Sequence, residues 1–547
     1  MSQGRIQTPE PGFDRRPGNE PGGVLRAGPW IAVALALVPA WLLRFVQDDA
    51  FISFRYARHL AEGLGLVWNP GQPIEGYTNF IWTVGIAGAM KLGLEPVAVS
   101  YAFGLLSYAV TLRLTYTLGA ALGGRPMAGY LALGLTAANF TFTSYATGGL
   151  ETQLQATLFV AAFLLLHRLH RTEPSRGGLI ALSLVLAASM LTRPDSALLL
   201  AVVGSTAAWR VLRSGMPVVA GWIALAGPFI AVVGGWLLWK LGYYGELLPN
   251  TFYAKAGSAT SHLRGITFIL IWFQSYLWFL LLLLPLPVLL RLWRARSATV
   301  VSMAALALLW LLYLIKVGGG FMEFRFFVPL VPLAMVWLVW VCSRYPDRFR
   351  VWVQVAAALA LVGGSVWHGR TYTTHFGIES IAKLEGHLWS PDEQWVGIGK
   401  TLGRVFAGDP DVTIAVTAAG AIPYYAGLRT IDMFGLNDAW VARNGTVMGS
   451  RPGHQRAAPL GYLIESGTHL AIGHPQVRRR TQESYSVAEI EQLLIVPLTR
   501  RSELPPGARV LEIDLGEGYR LLTLYLVPHP AVDAAIEREG WAVREIR

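Results

Sequence analysis

The sequence predicts a polytopic α-helical membrane protein that ends in a C-terminal α/β domain. Over half of its 547 residues are hydrophobic, the mean hydropathy is +0.44, and only 14% of the residues are charged. A soluble protein carries about 25% charged residues. Apolar runs of 16 to 28 residues recur from about residue 29 to about residue 368, and such runs are long enough to span a bilayer as helices.

Residues 1–28 form a polar segment, rich in Arg, Pro and Gly, in front of the first apolar run. No small-residue cleavage site clearly follows that run, so the pattern predicts a retained helix and not a signal peptide. We therefore expect residues 1–28 to be a disordered cytoplasmic tail.

The composition also argues against several classes of protein. The net charge of +11 fits basic loops between membrane spans better than nucleic-acid binding, because no basic patch with interleaved aromatic residues occurs. Cys342 is the single cysteine, so neither an intramolecular disulfide nor a cysteine-based metal site can form.

The apolar runs predict about 11 transmembrane helices. A further apolar segment, residues 79–94, is short for a crossing. If it does not cross, four basic loops lie on the same side as the basic tail, as the positive-inside rule favours. These loops are residues 167–176, 210–213, 291–296 and 344–350. We therefore predict that residues 79–94 lie at the outer interface or re-enter the membrane. The predicted spans are residues 29–46, 97–121, 127–142, 150–168, 177–192, 194–209, 217–241, 264–290, 298–316, 325–343 and 351–367.

The first external loop, residues 47–96, is predicted to hold two interfacial helices. In the first of them, residues 51–64, apolar side chains such as Ile52 and Tyr56 share one face, and charged side chains share the other. This pattern is typical of a helix that lies in the plane of the membrane. The segment 79–94 supplies the second helix.

Residues 370–547 are predicted to form an extracytoplasmic α/β domain behind the membrane domain, residues 29–369. About 178 residues are enough to bury a core. An odd number of spans places this domain on the side of the first external loop, opposite the tail. Residues 413–417, 510–514 and 519–527 are predicted to be strands, and residues 530–540 a helix.

Asp48 and Asp49 are two adjacent carboxylates that follow directly on the first span. Charge is costly inside lipid, so acids at the edge of a span serve a site or mark the boundary. One of them can also cap the helix that follows. We predict that at least one is catalytic. A divalent cation held by the pair is an alternative, but further ligands are not evident, so we expect no metal and no cofactor.

Four cations lie near the predicted outer face: Arg55, Arg193, Lys255 and Arg325. Cations at this position can neutralise a phosphate, and a nearby carboxylate can take a proton from a hydroxyl. Snorkelling or structural ion pairing is the alternative for each of them. Because no glycine-rich phosphate loop follows a strand, a polyprenyl-phosphate sugar fits better than a nucleotide sugar.

Further polar side chains on the same face are candidates for binding a sugar or an acceptor. Some have simpler explanations, since Tyr77 to Asn79 can cap the next helix, Glu151 can begin a span, and His454 can be a surface residue. The candidates are Glu75, Tyr77, Thr78, Asn79, Glu151, Asn250, Glu323 and His454.

The order of these motifs resembles the GT-C class of membrane glycosyltransferases. The resemblance is closer to the family of the mycobacterial terminal β-(1→2) arabinofuranosyltransferase and its bacterial relatives, and the first two of the matching stretches are the most specific. The matching stretches are Asp48–Tyr56, Gly65–Gly71, Glu75–Asn79, Gly149–Thr152, Thr192–Asp195, Leu248–Lys255, Phe321–Phe326 and Ile431–Asp438.

This resemblance implies a transferase at the outer face of the bacterial inner membrane, with a cytoplasmic N-terminus and a periplasmic C-terminal domain. It implies that Asp48 or Asp49 is the essential carboxylate. The implied donor is a decaprenyl- or other polyprenyl-phosphate sugar, with arabinofuranose preferred, and the implied acceptor is a cell-surface glycan. An inverting and a retaining transfer both remain open, because a carboxylate can serve either as a base or as a nucleophile.

One position departs from the family pattern, in which an Asp usually stands where this chain has Gly320. If that Asp orients donor or acceptor, this chain differs in substrate or activity. A relative that transfers a hexose or aminoarabinose to lipid or protein is therefore an alternative. A lipid-linked sugar flippase is an alternative of another class, but no inverted repeat and no acid in mid-span supports it. A membrane scaffold protein without catalytic activity is the third alternative.

Overall fold

The N-terminal part of the chain is almost entirely helical in a computed structural model that describes residues 23–255, 262–449, 451 and 453–547. Most of the predicted tail, residues 1–22, lies outside the described residues. Within them, seven helical segments are long and apolar enough to cross a membrane, and three apolar helices are shorter. The chain is therefore a multi-pass membrane protein, whereas the count of 11 spans stays a prediction.

Helices follow one another closely along the membrane domain. The seven long apolar segments are Pro96–Gly123, Thr152–Arg171, Pro194–Leu212, Val218–Tyr244, Ala298–Val317, Arg325–Cys342 and Asp347–Thr371. The α-helices are α1 (Gly23–Leu42), α2 (Asp48–Ala61), α3 (Phe80–Lys91), α4 (Pro96–Gly123), α5 (Pro126–Ala137), α6 (Phe140–Ser144), α7 (Thr152–Arg171), α8 (Arg176–Thr192), α9 (Ala197–Leu199), α10 (Ser205–Leu212), α11 (Val218–Phe229), α12 (Gly235–Tyr244), α13 (Asn250–Lys255), α14 (His262–Ser275), α15 (Trp278–Leu281), α16 (Leu289–Ala295), α17 (Ala298–Val317), α18 (Val331–Cys342) and α19 (Asp347–Thr371).

The predicted span 264–290 is not one continuous helix. α14 ends at Ser275, Leu277 adopts a left-handed backbone conformation with φ of +54°, and only short helical segments follow. Pro285 and Pro287 follow α15, and proline lacks the N–H that a continuous helix needs, but α14 already ends at Ser275, well before either proline. Hydropathy alone misses the break because the mostly apolar run continues through Leu277.

The C-terminal part folds as an α/β domain around a mixed seven-stranded sheet with the strand order β2-β1-β5-β8-β7-β9-β6. β1 pairs in parallel with β2 and β5, and β8 pairs antiparallel with β5 and β7. The elements are α20 (Ile381–Trp389), α21 (Trp395–Val405), β1 (Thr413–Val416), α22 (Ala421–Ala426), β2 (Arg429–Asp432), α23 (Ala439–Asn444), β3 (Thr446–Val447), β4 (Arg456–Ala457), α24 (Leu460–Glu465), β5 (Leu470–Arg478), β6 (Ser484–Tyr485), α25 (Val487–Leu494), β7 (Arg509–Gly516), β8 (Tyr519–Tyr525), α26 (Pro530–Glu539) and β9 (Ala542–Ile546).

The first external loop lies between the membrane domain and the sheet domain. α2 packs against α3 and also contacts α20 and α22 of the C-terminal domain. It is therefore buried around most of its circumference, on the apolar side at Phe54 and on the charged side at Arg55. The amphipathic pattern correctly predicts a helix, but its charged face meets protein and not water.

Candidate active site

Glu151 is the centre of a buried ionic network at the edge of the membrane domain. Its Oε1 accepts hydrogen bonds from Arg193 Nη1 at 2.7 Å and from Arg325 Nη2 at 2.6 Å. Its Oε2 accepts a hydrogen bond from Asn79 Nδ2 at 2.7 Å. One carboxylate thus joins the first external loop to the end of α8 and to the start of the segment Arg325–Cys342.

The two arginines of this network are fixed by further contacts. Arg193 donates to Asp195 Oδ2 through Nε at 3.0 Å and Nη2 at 2.8 Å, and Arg325 Nε donates to Thr152 Oγ1 at 2.9 Å. Their side chains keep 15% and 14% of their surface accessible. A fixed pair of guanidinium groups that keeps some accessible surface is suited to bind a phosphate.

Asp49 and Lys255 add one negative and one positive charge next to this pair. No group among the described residues forms a hydrogen bond with either side chain. Burial raises the pKa of Asp49, although the positive charges of Arg325 and Lys255 act against the rise. Burial lowers the pKa of Lys255, and the charge of Arg193 adds to the fall. Both groups are therefore available to a substrate.

Asp48 has a different environment from its neighbour. Its Oδ1 accepts from the Ala421 N–H at 2.7 Å and its Oδ2 from the Gly420 N–H at 3.1 Å. A Cβ atom at Gly420 would overlap the Asp48 carbonyl oxygen, so this close contact requires glycine. Burial raises the pKa of Asp48 to about 7, although the Ala421 N–H acts against the rise. Asp48 therefore joins the first external loop to the C-terminal domain.

The C-terminal domain brings a charged group that the sequence analysis missed. His387 contacts Glu379 Oε2 through Nε2 at 3.1 Å and hydrogen-bonds Glu393 through Nδ1. The charge of His387 lowers the pKa of Asp48, and that of Glu379 raises the pKa of Asp49. These residues stand several positions apart without a recognisable spacing, so no local pattern indicated them.

His387 should make stability depend on pH. Burial alone would lower its pKa, but the hydrogen bonds to Glu379 and Glu393 outweigh burial and raise the pKa to about 9. Its stabilising contribution, on the order of 3 kcal/mol, is therefore fully present below pH 6.5 and is lost as pH rises through about 9. We expect His387→Gln to lower the melting temperature at pH 6.5 and to match wild type above pH 9.5. An equal difference at both pH values would contradict this prediction.

Arg55 does not join the phosphate-binding candidates. It is only 1% exposed and donates to Trp68 O at 2.7 Å, Pro423 O at 2.5 Å and Leu428 O at 2.8 Å. Its guanidinium is therefore occupied by backbone carbonyls. The predicted phosphate role is not supported, because these contacts give Arg55 a structural role between the loop and the C-terminal domain.

Glu323 is likewise occupied by protein. Its Oε1 lies 2.8 Å from His368 Nε2, and its Oε2 accepts from the Ile381 N–H at 2.7 Å. The side chain is only 2% exposed. The structure therefore does not support sugar or acceptor binding by Glu323, because both oxygens are used to join α19 to α20.

The candidates in the first external loop have separate roles. Glu75 pairs with Lys240 at 2.6 Å in a buried position, and the Tyr77 hydroxyl contacts Tyr244 at 3.3 Å. These two side chains pack the loop onto α12. Thr78 makes no side-chain hydrogen bond to a described residue and keeps some accessible surface, so it stays a candidate.

Two candidates lie at contacts with the C-terminal domain. Asn250 Nδ2 donates to Gly435 O at 2.9 Å and to Leu436 O at 3.1 Å. His454 is partly exposed and packs edge-on against the rings of Phe321 and Phe434. The contacts of Asn250 are structural, whereas His454 keeps accessible surface.

Asp195 completes the set of charges, although it was not among the predicted site residues. It holds Arg193 through three hydrogen bonds and accepts from Gln155 Nε2 at 2.6 Å. Its position two residues after Arg193 was the available signal. Among the described residues, no group of three or more His, Cys, Asp or Glu side chains is arranged to hold a metal ion.

Gly320 leaves little room for the Asp of the family pattern. A Cβ atom there would lie 2.9 Å from Phe326 Cδ2, and the Phe326 ring lies 5.4 Å from the Arg193 guanidinium carbon. We expect Gly320→Asp to displace Phe326, to lower stability by about 1–3 kcal/mol and to weaken donor binding through Arg193.

Gly320→Ala is the matched control, since it adds the Cβ atom without the carboxylate. Both variants should have a lower melting temperature in thermal unfolding and a lower affinity for the donor than wild type. Unchanged stability of the Asp variant together with higher turnover would contradict the expected clash.

The fold is similar to that of ArnT from Cupriavidus metallidurans, whose structure was solved bound to undecaprenyl phosphate. The match covers 92% of this chain and 99% of that chain, with a TM-score of 0.53 at 12% sequence identity. The apo form of ArnT gives a TM-score of 0.52 at 14% identity, covering 91% of this chain and 98% of that chain. The chain therefore has the GT-C membrane fold.

Two curated relatives carry the name terminal β-(1→2)-arabinofuranosyltransferase, which confirms the resemblance seen in the motifs. The protein of Mycobacterium tuberculosis is 28% identical over 295 residues, which cover 50% of this chain and 45% of that protein. The protein of Corynebacterium glutamicum is 25% identical over 406 residues, which cover 65% and 54%. The chain spans about half the length of the curated relatives it matches. A family model described as a domain of unknown function, DUF8728, matches residues 387–516.

Proposed function

We propose that this chain is a glycosyltransferase that moves a sugar, by preference arabinofuranose, from a polyprenyl-phosphate donor to a hydroxyl of a cell-surface glycan. One observation carries the proposal. The Asp49 carboxylate has no hydrogen-bond partner among the described residues, and it lies within reach of the charges of Arg325 and Lys255.

The cations would bind the donor phosphate. Arg193 and Arg325 are oriented by Glu151, and Lys255 has no protein partner among the described residues. A guanidinium pair and an ammonium group can together neutralise the negative charge that grows on a phosphate as it leaves. Arg325 begins a membrane span, so a phosphate held there would keep its lipid chain in the bilayer.

The carboxylate would act on the acceptor. In an inverting transfer, Asp49 takes the proton of the acceptor hydroxyl while the acceptor oxygen bonds to the anomeric carbon of the donor sugar. The bond between that carbon and the phosphate oxygen breaks, and polyprenyl phosphate leaves with the electron pair. In a retaining transfer, Asp49 instead bonds to the anomeric carbon first, as polyprenyl phosphate leaves with the electron pair. The acceptor oxygen then displaces Asp49 and gives its proton to the released phosphate. In both courses a carboxylate is required at the position of Asp49.

The names of the relatives support the sugar. Their name specifies arabinofuranose and a β-(1→2) linkage, and ArnT was solved with undecaprenyl phosphate. We propose a decaprenyl- or other polyprenyl-phosphate donor and a site on the outer face of the bacterial inner membrane. The N-terminus then lies in the cytoplasm and the C-terminal domain in the periplasm.

Sugar transfer by the full chain in nanodiscs tests the proposal. The assay offers radiolabelled decaprenyl-phosphoryl arabinofuranose and a synthetic arabinoside acceptor, with Asp49→Asn as control. Parallel reactions offer polyprenyl-phosphate hexose and aminoarabinose donors.

We expect arabinofuranose transfer by wild type and none by the variant. Transfer of a different sugar would keep the reaction class and replace arabinofuranose as the donor sugar. A folded wild-type protein that transfers none of the three sugars would overturn the proposal.

A further inference from the structure

A basic cavity of about 510 Å³ lies at the end of α16 and the turn between α18 and α19. Four arginines line it, together with a single acid, Asp347. The cavity is separate from the candidate active site and has no part in the proposed transfer. The lining arginines are Arg291, Arg294, Arg344 and Arg350.

This cavity and the candidate active site lie at opposite ends of one membrane span. The segment Arg325–Cys342 has 18 residues, which corresponds to about 27 Å of helix at 1.5 Å per residue. Arg325 begins the segment in the active site, and Arg344 follows its other end in the cavity. The basic cavity therefore opens at the opposite membrane face.

Protein groups leave most of the arginine donors in the cavity unused. Arg294 forms no hydrogen bond with a described residue, and Arg291 donates to the Arg344 carbonyl oxygen at 3.2 Å. Asp347 is paired with Arg350. Burial lowers the pKa of Arg344, and the like charge of Arg350 adds to the fall. Among the described residues, Arg344 Nε and Arg350 Nε are buried without a hydrogen-bond partner. Together with the exposed Arg291 and Arg294, they leave donors open to an anion.

We propose that this cavity binds the phosphate group of an anionic phospholipid. Guanidinium groups bind phosphate oxygens in pairs, and basic pockets between membrane helices hold acidic lipid headgroups. The surroundings favour a lipid over a soluble phosphate. Leu290 and Trp293 on α16 are 73% and 66% exposed beside the cavity, so acyl chains can pack there, and Arg296 stacks on Trp293 at 3.7 Å.

Native mass spectrometry of the full chain in detergent, with phosphatidylglycerol and phosphatidylcholine added, tests the assignment. Arg294→Gln loses no hydrogen bond to described protein, so it should fold, and Arg291→Gln/Arg294→Gln removes two charges. The matched control is Arg171→Gln/Arg176→Gln, which removes two exposed basic residues between α7 and α8. Inorganic phosphate is titrated in a separate series.

We expect wild type to retain phosphatidylglycerol over phosphatidylcholine. The double cavity variant should bind it about thirtyfold more weakly and Arg294→Gln about fivefold more weakly, whereas the control should bind as wild type does. If the cavity and control variants lose the same affinity for phosphatidylglycerol, the cavity is only part of a general basic surface and not a specific site. Displacement of the lipid by millimolar phosphate would assign the site to a soluble anion. Either result would overturn the proposal.

Discussion

Asp49→Asn is expected to lower the turnover of sugar transfer by about three orders of magnitude while leaving the melting temperature unchanged. The Asp49 carboxylate accepts no hydrogen bond from a described residue, so replacing it breaks no such bond. The attraction of Arg325 and Lys255 is lost, but the cost of burying the carboxylate, which raises its pKa, is removed with it. General acid–base catalysis by a positioned side chain contributes about 10²- to 10⁴-fold. Single-turnover transfer assays at saturating donor, paired with thermal unfolding, measure both quantities.

Asp48→Asn is the matched control for this prediction. The two carboxylate oxygens of Asp48 accept one backbone N–H each, from Gly420 and Ala421. In Asn one of these oxygens is replaced by an NH2 group, which cannot accept. We therefore expect Asp48→Asn to lower the melting temperature and to reduce turnover less than Asp49→Asn does. If Asp49→Asn instead keeps wild-type turnover, and Asp48→Asn is inactive but keeps its melting temperature, then Asp48 and not Asp49 is the catalytic acid.

Glu151→Gln is expected to destabilise the protein by about 3–5 kcal/mol, since removal of one partner leaves buried charges uncompensated. The carboxylate of Glu151 is shared by Arg193 and Arg325, so both guanidinium groups lose a counter-charge. Inorganic phosphate can replace it, because both arginines keep some accessible surface. We expect millimolar phosphate to restore part of the lost stability in thermal unfolding.

Glu323→Gln serves as the control for phosphate rescue. Glu323 is equally buried and also contacts a ring nitrogen, but its partner is His368 and not the arginine pair. It should lose stability without recovering it in phosphate. Rescue of both variants, or of neither, would show that the arginine pair does not bind phosphate selectively.

The membrane helices were predictable because burial in lipid depends on local composition. The predicted spans 97–121 and 298–316 correspond closely to Pro96–Gly123 and Ala298–Val317. The break in 264–290 escaped prediction, since the pattern of apolar residues continues through it while the backbone does not. Hydropathy reports the solvent around a segment and not the hydrogen bonds within it.

The charged residues of the candidate site were predictable for a related reason. A charge near lipid is costly, so a charge that persists at a span end is either paired or functional. This argument selected Asp49, Arg193, Lys255 and Arg325, which the structure places near one another. It selected Arg55 equally, although that side chain is occupied by backbone carbonyls.

The sequence alone thus determined the membrane class, the positions of most helices and the set of charged residues, because these follow from local composition. Only the tertiary structure decided which charges are paired with protein. Arg325 meets Glu151 across 174 residues, Arg55 meets Pro423 across 368, and Asp48 meets Ala421 across 373. Contacts between such distant positions depend on how the domains pack, and this packing leaves Asp49 unpaired while it occupies Asp48.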